Sequence, residues 1–314
     1  MPLNFHIRRF PALSQTAASF GAALTAARQA VGAQDYPQAS LYVVATPIGN
    51  LGDVTLRALH VLALADRVAC EDTRHTQALL RAYGIDKPGD RLLAVHQHNE
   101  AQASAQVLAW LRAGERVAYA SDAGTPAISD PGARLVAAVH AEGLRVVPLP
   151  GASSVTALLS AAGCVEEGGF VFAGFLPAKA GEREAAVQAL AAEARAVVLL
   201  EAPHRIGALA ASLAALGERG VTVGRELTKQ FEQVATLACS QLPAWLAADP
   251  QRTRGEFALV LHGQPSAAAP DDGERVLRLL LAELPVKTAV KLAAEITGAP
   301  RNGLYEMALR LKAS

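Results

Sequence analysis

Short apolar runs and longer amphipathic stretches alternate along the chain from residue 41 to residue 147. The apolar runs have the length and β-branched content of buried strands, and they lie at 41–45, 67–70, 92–95, 116–120 and 144–147. Between them, apolar residues recur at helical spacing over 54–65, 73–83, 101–113 and 132–142. Strands that alternate with helices of three turns predict a parallel, doubly wound sheet.

A second α/β block follows the turn sequence PLPG at 148–151. Its predicted strands are 170–173, 196–200, 221–224 and 257–261, and its predicted helices are 182–192, 205–216 and 242–248. Residues 264–273 have the composition of a linker, and 274–314 has a helical pattern throughout. We therefore predict an α/β protein with one domain at 40–150, a second at 151–264, and a helical tail at 274–314.

The first 39 residues differ in composition from the rest. They carry Arg8, Arg9 and Arg28 against Asp35 as the single acid, and they are rich in Ala and Ser. Organellar transit peptides have this composition, but the favoured interpretation is an unstructured extension before the first domain. We expect a disordered segment without a periodic apolar face, whose removal leaves folding and activity intact.

Charge and cysteine content narrow the class of protein. Lys and Arg together number 29, as do Asp and Glu, so nucleic-acid binding would need a local basic patch rather than a global field. The cysteines Cys70, Cys164 and Cys239 are far apart and lack zinc-site spacing, which is typical of buried thiols in a reducing cytoplasm. No apolar run approaches the roughly 20 residues of a membrane-spanning helix. These features favour a cytoplasmic enzyme without a membrane segment.

Chemistry-bearing residues gather in loops that directly follow predicted strands, where doubly wound sheets bind ligands. In the loop at 46–53, Gly49 and Gly52 permit close approach of a ligand, or they form a plain turn with Asp53 as helix cap. The next loop contains Glu71, Asp72 and Arg74, which indicate a polar site unless Asp72 only caps the following helix.

The loop SDAGTPAISDPG at 121–132 is the most informative stretch. Its prolines, acids and small residues make a rigid loop with free backbone donors and acceptors, which favours ligand binding over a plain connection. Ser153 and Ser154 start a helix and could cap it or bind a ligand. We expect these loops to converge on one interdomain cleft with the second-block loops EAPHR (201–205) and GRELTK (224–229). His96 and His98 lack a third partner, so no metal site is predicted.

Seven runs of the sequence carry a resemblance to a known family: LYVVATPIGNLGDVTLRAL, CEDTRHT, SDAGTPAISDPG, PGASS, FLPAKAGER, LEAPHRI and GRELTK. In this order they resemble the bacterial small-subunit ribosomal RNA methyltransferases of the tetrapyrrole-methylase superfamily, over roughly residues 40 to 312. The resemblance implies two α/β domains with S-adenosylmethionine bound between them and a homodimer. It also implies methyl transfer to the ribose 2′-hydroxyl of one cytidine in 16S rRNA.

The same resemblance implies site residues. Thr125 stands where the superfamily has an aspartate, and Asp122 lies three residues earlier, so either side chain could meet the methionine ammonium group. The implied cosubstrate-binding residues are Pro47, Asp122, Ala123, Gly124, Thr125, Ile128, Ser153, Ser154 and Glu201. Two features depart from the family: the 39-residue leader, and the loop at 177–183, which keeps only Lys179 and Arg183 as basic residues.

Methyl transfer from a sulfonium needs little chemistry from the protein. The methyl donor is already electrophilic, so the protein supplies geometry, exclusion of water, and a base or acceptor for the hydroxyl proton. The candidates for that last role are Glu226, Lys229 and Glu71. Each of them could instead belong to a structural ion pair. No metal is expected.

The tail has the spacing of a helix-turn-helix, with Ala294 inside, Gly298 at the turn and Leu304 as the apolar anchor. Basic residues outnumber acids there: Lys287, Lys291, Arg301, Arg310 and Lys312 against Glu295 and Glu306. The tail could dock on rRNA phosphates or cap a dimer, and the two interpretations remain open.

Two alternative functions are consistent with parts of the sequence. One is a tetrapyrrole C-methyltransferase of the same superfamily, against which the loops at 71–74 and 121–126 and the helical tail argue. The other is a metabolite-sensing regulator whose tail binds DNA. The absence of net charge argues against DNA binding.

Overall fold

The structure is a computed structural model that describes residues 13–96, 98–165, 169–264 and 272–313. It contains two five-stranded sheets, each flanked by helices, and a separate group of three helices at the end of the chain. Within these residues, no helix is both long and apolar enough to span a membrane.

The first sheet is parallel and doubly wound, as predicted. Its strands are β1 (Ser40–Val44), β2 (Arg67–Cys70), β3 (Leu92–Ala94), β4 (Val117–Ala120) and β5 (Arg145–Leu149), in the order β3-β2-β4-β1-β5. The helices after its strands are α2 (Leu56–Leu64), α3 (Thr73–Ala82), α4 (Glu100–Arg112) and α5 (Gly132–Ala141).

The side chains of β1 point alternately to the two faces of this sheet, as successive side chains of any strand do. Tyr42 and Val44 pack with α2 and α3 on one face. Leu41 and Val43 pack with α4 and α5 on the other. Both faces are therefore covered, as a continuous apolar strand requires.

The second sheet is mixed rather than parallel. Its strands are β6 (Phe170–Gly174), β7 (Ala196–Glu201), β8 (Gly220–Arg225), β9 (Gln233–Ala238) and β10 (Phe257–Leu261), in the order β6-β7-β10-β8-β9. Only β6 and β7 pair in parallel, and the other neighbours are antiparallel. Its helices are α6 (Ser154–Ala162), α7 (Ala180–Ala191), α8 (Ile206–Leu213) and α9 (Leu242–Ala247).

Strand β9 was not predicted from the sequence. It lies at the edge of the sheet and is nowhere fully buried, so it lacks the apolar run that identified the other strands. This segment forms a strand because it pairs with β8, and not because its own sequence has a strand pattern.

The described part of the first 39 residues does not match the expectation of a disordered extension. Residues 13–31 form helix α1 (Leu13–Val31), which packs on α2 and α3. Phe20 meets the Tyr83 ring edge-on at 5.0 Å, and Ala27 is fully buried in the same core as Leu24. Positions 20, 24 and 27 form the apolar stripe that the sequence analysis missed, whereas residues 1–12 lie outside the described residues.

The tail is a three-helix unit with its own small core. It consists of α10 (Asp272–Glu283), α11 (Val286–Thr297) and α12 (Arg301–Ala313). Gly298 has a left-handed φ of 74° and ends α11, as expected for a turn glycine, and Leu304 is buried. Ala289, Ala293 and Ala308 are fully buried, whereas Ala294 is only partly buried against them. Most of the predicted linker, 265–271, and Ser314 lie outside the described residues.

Candidate functional site

A cleft of about 1020 Å³ lies where loops of the first sheet meet the second sheet. Loops that follow β1, β2, β4 and β5 form one side, because the carboxyl ends of parallel strands meet at one edge. Residues of β7, β8 and β10 form the other. Of the predicted cosubstrate-binding residues, the cleft is lined by Asp122, Ala123, Gly124, Thr125, Ile128, Ser153, Ser154 and Glu201.

The loop after β4 is joined to the loop after β1. Thr46 N donates to Gly124 O at 2.9 Å, and Gly124 N donates back to Thr46 O at 3.0 Å. Gly124 adopts a φ of 83°, which favours glycine, and an added Cβ atom would lie 3.2 Å from Ile48 Cγ2. Pro47 is buried beside this bridge, and its neighbour Ile48 is the residue that lines the cleft.

Two acids on this side of the cleft resist ionisation. Burial, together with the negative charges of Asp122 and Asp130, raises the pKa of Glu71 to about 7. The pKa of Asp122 is also raised, chiefly by burial. Asp72 behaves differently, since it caps α3 and its hydrogen bond with Arg74 lowers its pKa to about 2. Asp72 is therefore a helix cap.

Glu201 presents an unpartnered oxygen to the cleft. Its side chain is 1% exposed, and Oε1 accepts a hydrogen bond from Ala202 N at 2.8 Å and forms an ion pair with Arg205 Nε at 3.0 Å. Oε2 is buried and has no hydrogen-bond partner among the residues that the structure describes. Burial raises the pKa of Glu201 and outweighs the nearby Arg205. A buried acceptor without a partner points to a donor from a ligand.

Glu226 and Lys229 do not line the cleft but belong to an ion cluster beside it. Lys229 Nζ lies 2.9 Å from Glu226 Oε1 and 2.9 Å from Glu256 Oε2, and Glu256 lines the cleft. Burial lowers the pKa of Lys229, but the hydrogen bonds to both glutamates outweigh it and hold the pKa above its usual value. Lys229 is thus held protonated, and the ion-pair interpretation accounts for its contacts.

Lys229 also explains one glycine of the first loop. A Cβ atom at Gly49 would lie 2.3 Å from Lys229 Cγ. Gly49 therefore makes room for a side chain of the second sheet rather than for a ligand, and the two sides of the cleft are in contact at this point.

The remaining candidates contribute no further site. The rings of His96 and His98 lie 6.1 Å apart, and Gln97 between them is outside the described residues. Within the described ranges, no three His, Cys, Asp or Glu side chains are grouped to hold a metal. Burial raises the pKa of Cys70 to about 12 and that of Cys239 to about 11. Both thiols are structural.

The sequence analysis missed cleft residues that lack a distinctive local signal. Asp130 lies in the predicted loop but was not singled out, and Glu256 precedes β10 without any motif. Phe175 and Leu227 supply apolar surface. Only their position in the fold shows that they belong to the cleft.

Comparison with protein families assigns this fold and cleft to a known class. The family described as Tetrapyrrole (Corrin/Porphyrin) Methylases matches residues 40–243, more than half of the chain. The chain therefore belongs to the tetrapyrrole methylase family. A second family, described as RsmI C-terminal HTH domain, matches residues 267–312.

Curated relatives narrow the assignment. The chain is 46% identical to ribosomal RNA small subunit methyltransferase I of Escherichia coli O157:H7 over 279 residues, covering 88% of this chain and 96% of that protein. It is also 46% identical to the protein of the same name from Pseudomonas aeruginosa, covering 86% of this chain and 97% of that one. Within the family, the chain groups with the proteins named ribosomal RNA small subunit methyltransferase I.

Solved structures share the fold at lower sequence identity. A cobalt precorrin-4 methyltransferase of cobalamin biosynthesis is 19% identical with a TM-score of 0.52, covering 71% of this chain and 94% of that one. A diphthine synthase is 14% identical with a TM-score of 0.53, covering 71% of this chain and 90% of that one. These two similarities show the fold alone. The substrate is inferred from the site and from the curated relatives.

Proposed function

We propose that this protein transfers the methyl group of S-adenosylmethionine to the ribose 2′-hydroxyl of a cytidine in 16S rRNA. The observation that carries the proposal is the cleft, in which the loop motifs shared with small-subunit rRNA methyltransferases converge. The curated relatives, which are named for ribosomal RNA small subunit methylation, favour this substrate over a tetrapyrrole or a DNA site.

The lining of the cleft offers both apolar and polar groups to S-adenosylmethionine. Leu200, Leu227 and Ala258 offer an apolar wall for a purine, and Glu201 Oε2 offers an acceptor for an amino or hydroxyl group. When bound, the cosubstrate supplies an electrophilic methyl group on a positively charged sulfur.

Asp122, rather than Thr125, is the side chain we assign to the methionine ammonium group. The Thr125 hydroxyl is neutral and donates to Ala152 O at 3.1 Å, so it offers an ammonium group no opposite charge. The Asp122 carboxyl group lines the cleft and accepts a long hydrogen bond from Asp72 N at 3.3 Å. A cationic ligand would also offset the burial that raises the pKa of Asp122.

Glu71 is the group we assign to the hydroxyl proton. Of the three catalytic candidates, it alone lines the cleft, and its pKa of about 7 is matched to a general base at neutral pH. Lys229 has no free electron pair while it is protonated between two glutamates. Glu226 is committed to Lys229 and to Glu256 N.

Analysis of rRNA from a strain that lacks this protein tests the reaction. Mass spectrometry of digested 16S rRNA should show the loss of one 2′-O-methylcytidine, restored by the wild-type gene. Unchanged methylation would contradict the rRNA substrate. A strong shift of the Soret band on adding a precorrin-like ligand to the purified protein would instead support tetrapyrrole methylation.

Calorimetry tests the cosubstrate and the proposal that no metal is needed. We expect S-adenosylmethionine to bind in the presence of a chelator, since Asp122 and Glu201 provide the polar contacts. Binding that appears only after a divalent ion is added would count against a metal-free site. We further propose a cytoplasmic homodimer, following the resemblance to the family, and sedimentation of the purified protein tests the dimer.

A further inference from the structure

The loop at 121–132 is held at its two ends by different means. Its first part is tied to neighbouring loops through the backbone bridge between Gly124 and Thr46 and through the bond from Thr125 to Ala152. Its second part brings Ile128 and Ser129 to the cleft, and both residues are exposed. The hydrogen bonds that hold this second part converge on Asp130.

The Asp130 carboxylate receives hydrogen bonds from three groups. Ala127 N donates to Oδ1 at 3.0 Å and to Oδ2 at 2.9 Å. Gly132 N donates to Oδ1 at 2.8 Å, and the Tyr119 hydroxyl donates to the same oxygen at 3.1 Å. Tyr119 is fully buried in β4, so the carboxylate ties the loop to the rigid sheet.

The conformation that Asp130 holds is not one the loop would adopt freely. Ala127 has a φ of 65°, in the left-handed region that a residue with a Cβ atom rarely occupies. The loop also closes tightly on the sheet, because a Cβ atom at Gly132 would lie 2.1 Å from Tyr119 Cε1. Strain of this kind persists where surrounding contacts enforce it, and it is frequent in ligand-binding loops.

We propose that Asp130 is a positioning residue of the cosubstrate cleft, whose carboxylate holds residues 127–132 in the strained shape that presents Ile128 to the ligand. The inference rests on the proposed function, in that the ligand is taken to be S-adenosylmethionine. Asp130 acts through the loop and is not assigned a contact with the reacting atoms.

The charge of Asp130 has a second, separable effect on Glu71. The charged groups that face Glu71 are Asp122 and Asp130, and His75 of α3 acts on Asp122. Both aspartates raise the pKa of Glu71, so removing the charge of Asp130 lowers it. Glu71 would then remain deprotonated to lower pH. The acid limb of the pH profile of kcat should therefore move to lower pH.

Two substitutions separate geometry from charge. Asp130→Asn keeps the size of the side chain but replaces one acceptor with an amide that cannot accept from Ala127 N. Asp130→Glu keeps the charge but displaces the carboxylate from that group by one methylene. Tyr119→Phe is the matched control, because it removes one bond to Asp130 from the core side and leaves the bonds to the loop backbone in place.

We expect both Asp130 variants to raise KM for S-adenosylmethionine at least tenfold with a smaller change in kcat. Only Asp130→Asn should shift the acid limb of kcat downwards, and Tyr119→Phe, which keeps the bonds to the loop backbone, should raise KM less than either Asp130 variant. An unchanged KM in a folded Asp130→Asn or Asp130→Glu variant would overturn the inference. Failure of the proposed function would look different, since the wild-type protein itself would then neither bind S-adenosylmethionine nor methylate rRNA.

Discussion

At the scale of single residues, Glu71 both lines the cleft and has a raised pKa. It follows β2, lines the cleft, and accepts a hydrogen bond from Asp122 N at 3.3 Å. Its neighbour Asp72 is equally acidic in sequence, but it caps α3 and its pKa is about 2. Two adjacent carboxyl groups therefore have different roles because one faces the buried cleft and the other faces a helix end and Arg74.

Glu71→Gln should lower kcat about 100-fold or more and leave the Kd of S-adenosylmethionine nearly unchanged, because the amide cannot accept the hydroxyl proton. In the wild-type protein, kcat should fall as the pH decreases through about 7, where the carboxylate becomes protonated. Stopped assays across pH 5 to 9 and calorimetry measure both quantities. Asp72→Asn is the matched control and should keep the wild-type pH profile.

The raised pKa of Glu71 also makes a prediction about stability. The folded protein binds this proton more tightly than the unfolded chain, so the stabilising contribution is complete below the ordinary pKa of 4.5 and is lost as the pH rises through about 7. The Tm of Glu71→Gln relative to wild type should therefore increase between pH 5 and pH 8. A difference in Tm that stays constant over this range would contradict the raised pKa.

Glu201→Gln tests whether the unpartnered oxygen meets the cosubstrate. The amide oxygen can keep the bonds to Ala202 N and Arg205, while the amide nitrogen replaces the acceptor Oε2. We expect the Kd of S-adenosylmethionine to rise about tenfold, or roughly 1.4 kcal/mol, because a ligand donor would meet a donor. Arg205→Gln breaks the same ion pair but leaves Oε2 in place, and an equal loss of affinity in that variant would assign the effect to the ion pair.

At the scale of elements, α1 shows how a weak sequence signal becomes an ordered helix. Among the side chains described at 20–31, Ala27 is fully buried, whereas Phe20, Ala23 and Leu24 are partly buried. The helix is stabilised by packing on α2 and α3 rather than by helix propensity, as is usual for helices in proteins. Phe20 contributes an edge-on aromatic contact with Tyr83 to that packing.

Phe20→Ala should lower the free energy of unfolding by about 1–3 kcal/mol, since the ring is partly buried against Tyr83. Gly21→Ala is a control of opposite sign. No atom lies within 4 Å of the position of its Cβ, and alanine favours a helix by about 0.5–1 kcal/mol over glycine. Thermal unfolding followed by circular dichroism measures both variants. If neither substitution changes the Tm, α1 is not packed on α2 and α3.

At the scale of the whole molecule, the two sides of the cleft meet where the loop after β8 packs on the loop after β1. The Lys229 side chain lies against Gly49 and is held by Glu226 and Glu256. Glu226 itself adopts a φ of 52°, and a Cβ atom at Gly255 would lie 2.4 Å from Glu226 Cγ. The ion cluster is thus tightly enclosed, and it keeps the second-sheet side of the cleft in register with the first loop.

The helical tail leads to a prediction about the binding of rRNA. Lys287 and Lys291 are exposed on α11, whereas Arg301 lies 3.5 Å from Glu295. If the tail docks on rRNA phosphates, the double variant Lys287→Ala with Lys291→Ala should bind rRNA more weakly. The slope of log K for rRNA binding against log salt concentration should become shallower by about 1.5. The affinity for S-adenosylmethionine should stay the same.

Filter binding at several salt concentrations measures this effect. Arg112→Ala with Arg195→Ala removes the same charge from two exposed ion pairs outside the tail and serves as the control. Equal losses in both double variants would indicate a general charge effect and would favour the interpretation that the tail caps a dimer.

The sequence by itself determined the parts of this protein that depend on local pattern. The parallel sheet followed from strands and helices in strict alternation, and the position of Gly124 and Ser153 in the cleft followed from loops that come directly after strands. The same attention to strand ends singled out Glu71, and the motif resemblance added the family and the role of Glu201. These features are readable because apolar periodicity and strand ends are local properties of the chain.

Only the tertiary structure decided which polar side chains act and which are held in place. Glu71, Glu226 and Lys229 look alike as candidates in sequence, but Lys229 lies between two carboxylates, one of them Glu256, which directly precedes β10 and is distant in sequence. The docking of α1, the edge strand β9 and the role of Asp130 depend on partners up to tens of residues away. The physical reason is that burial, charge pairing and proton affinity are set by neighbours in space, which a linear pattern does not contain.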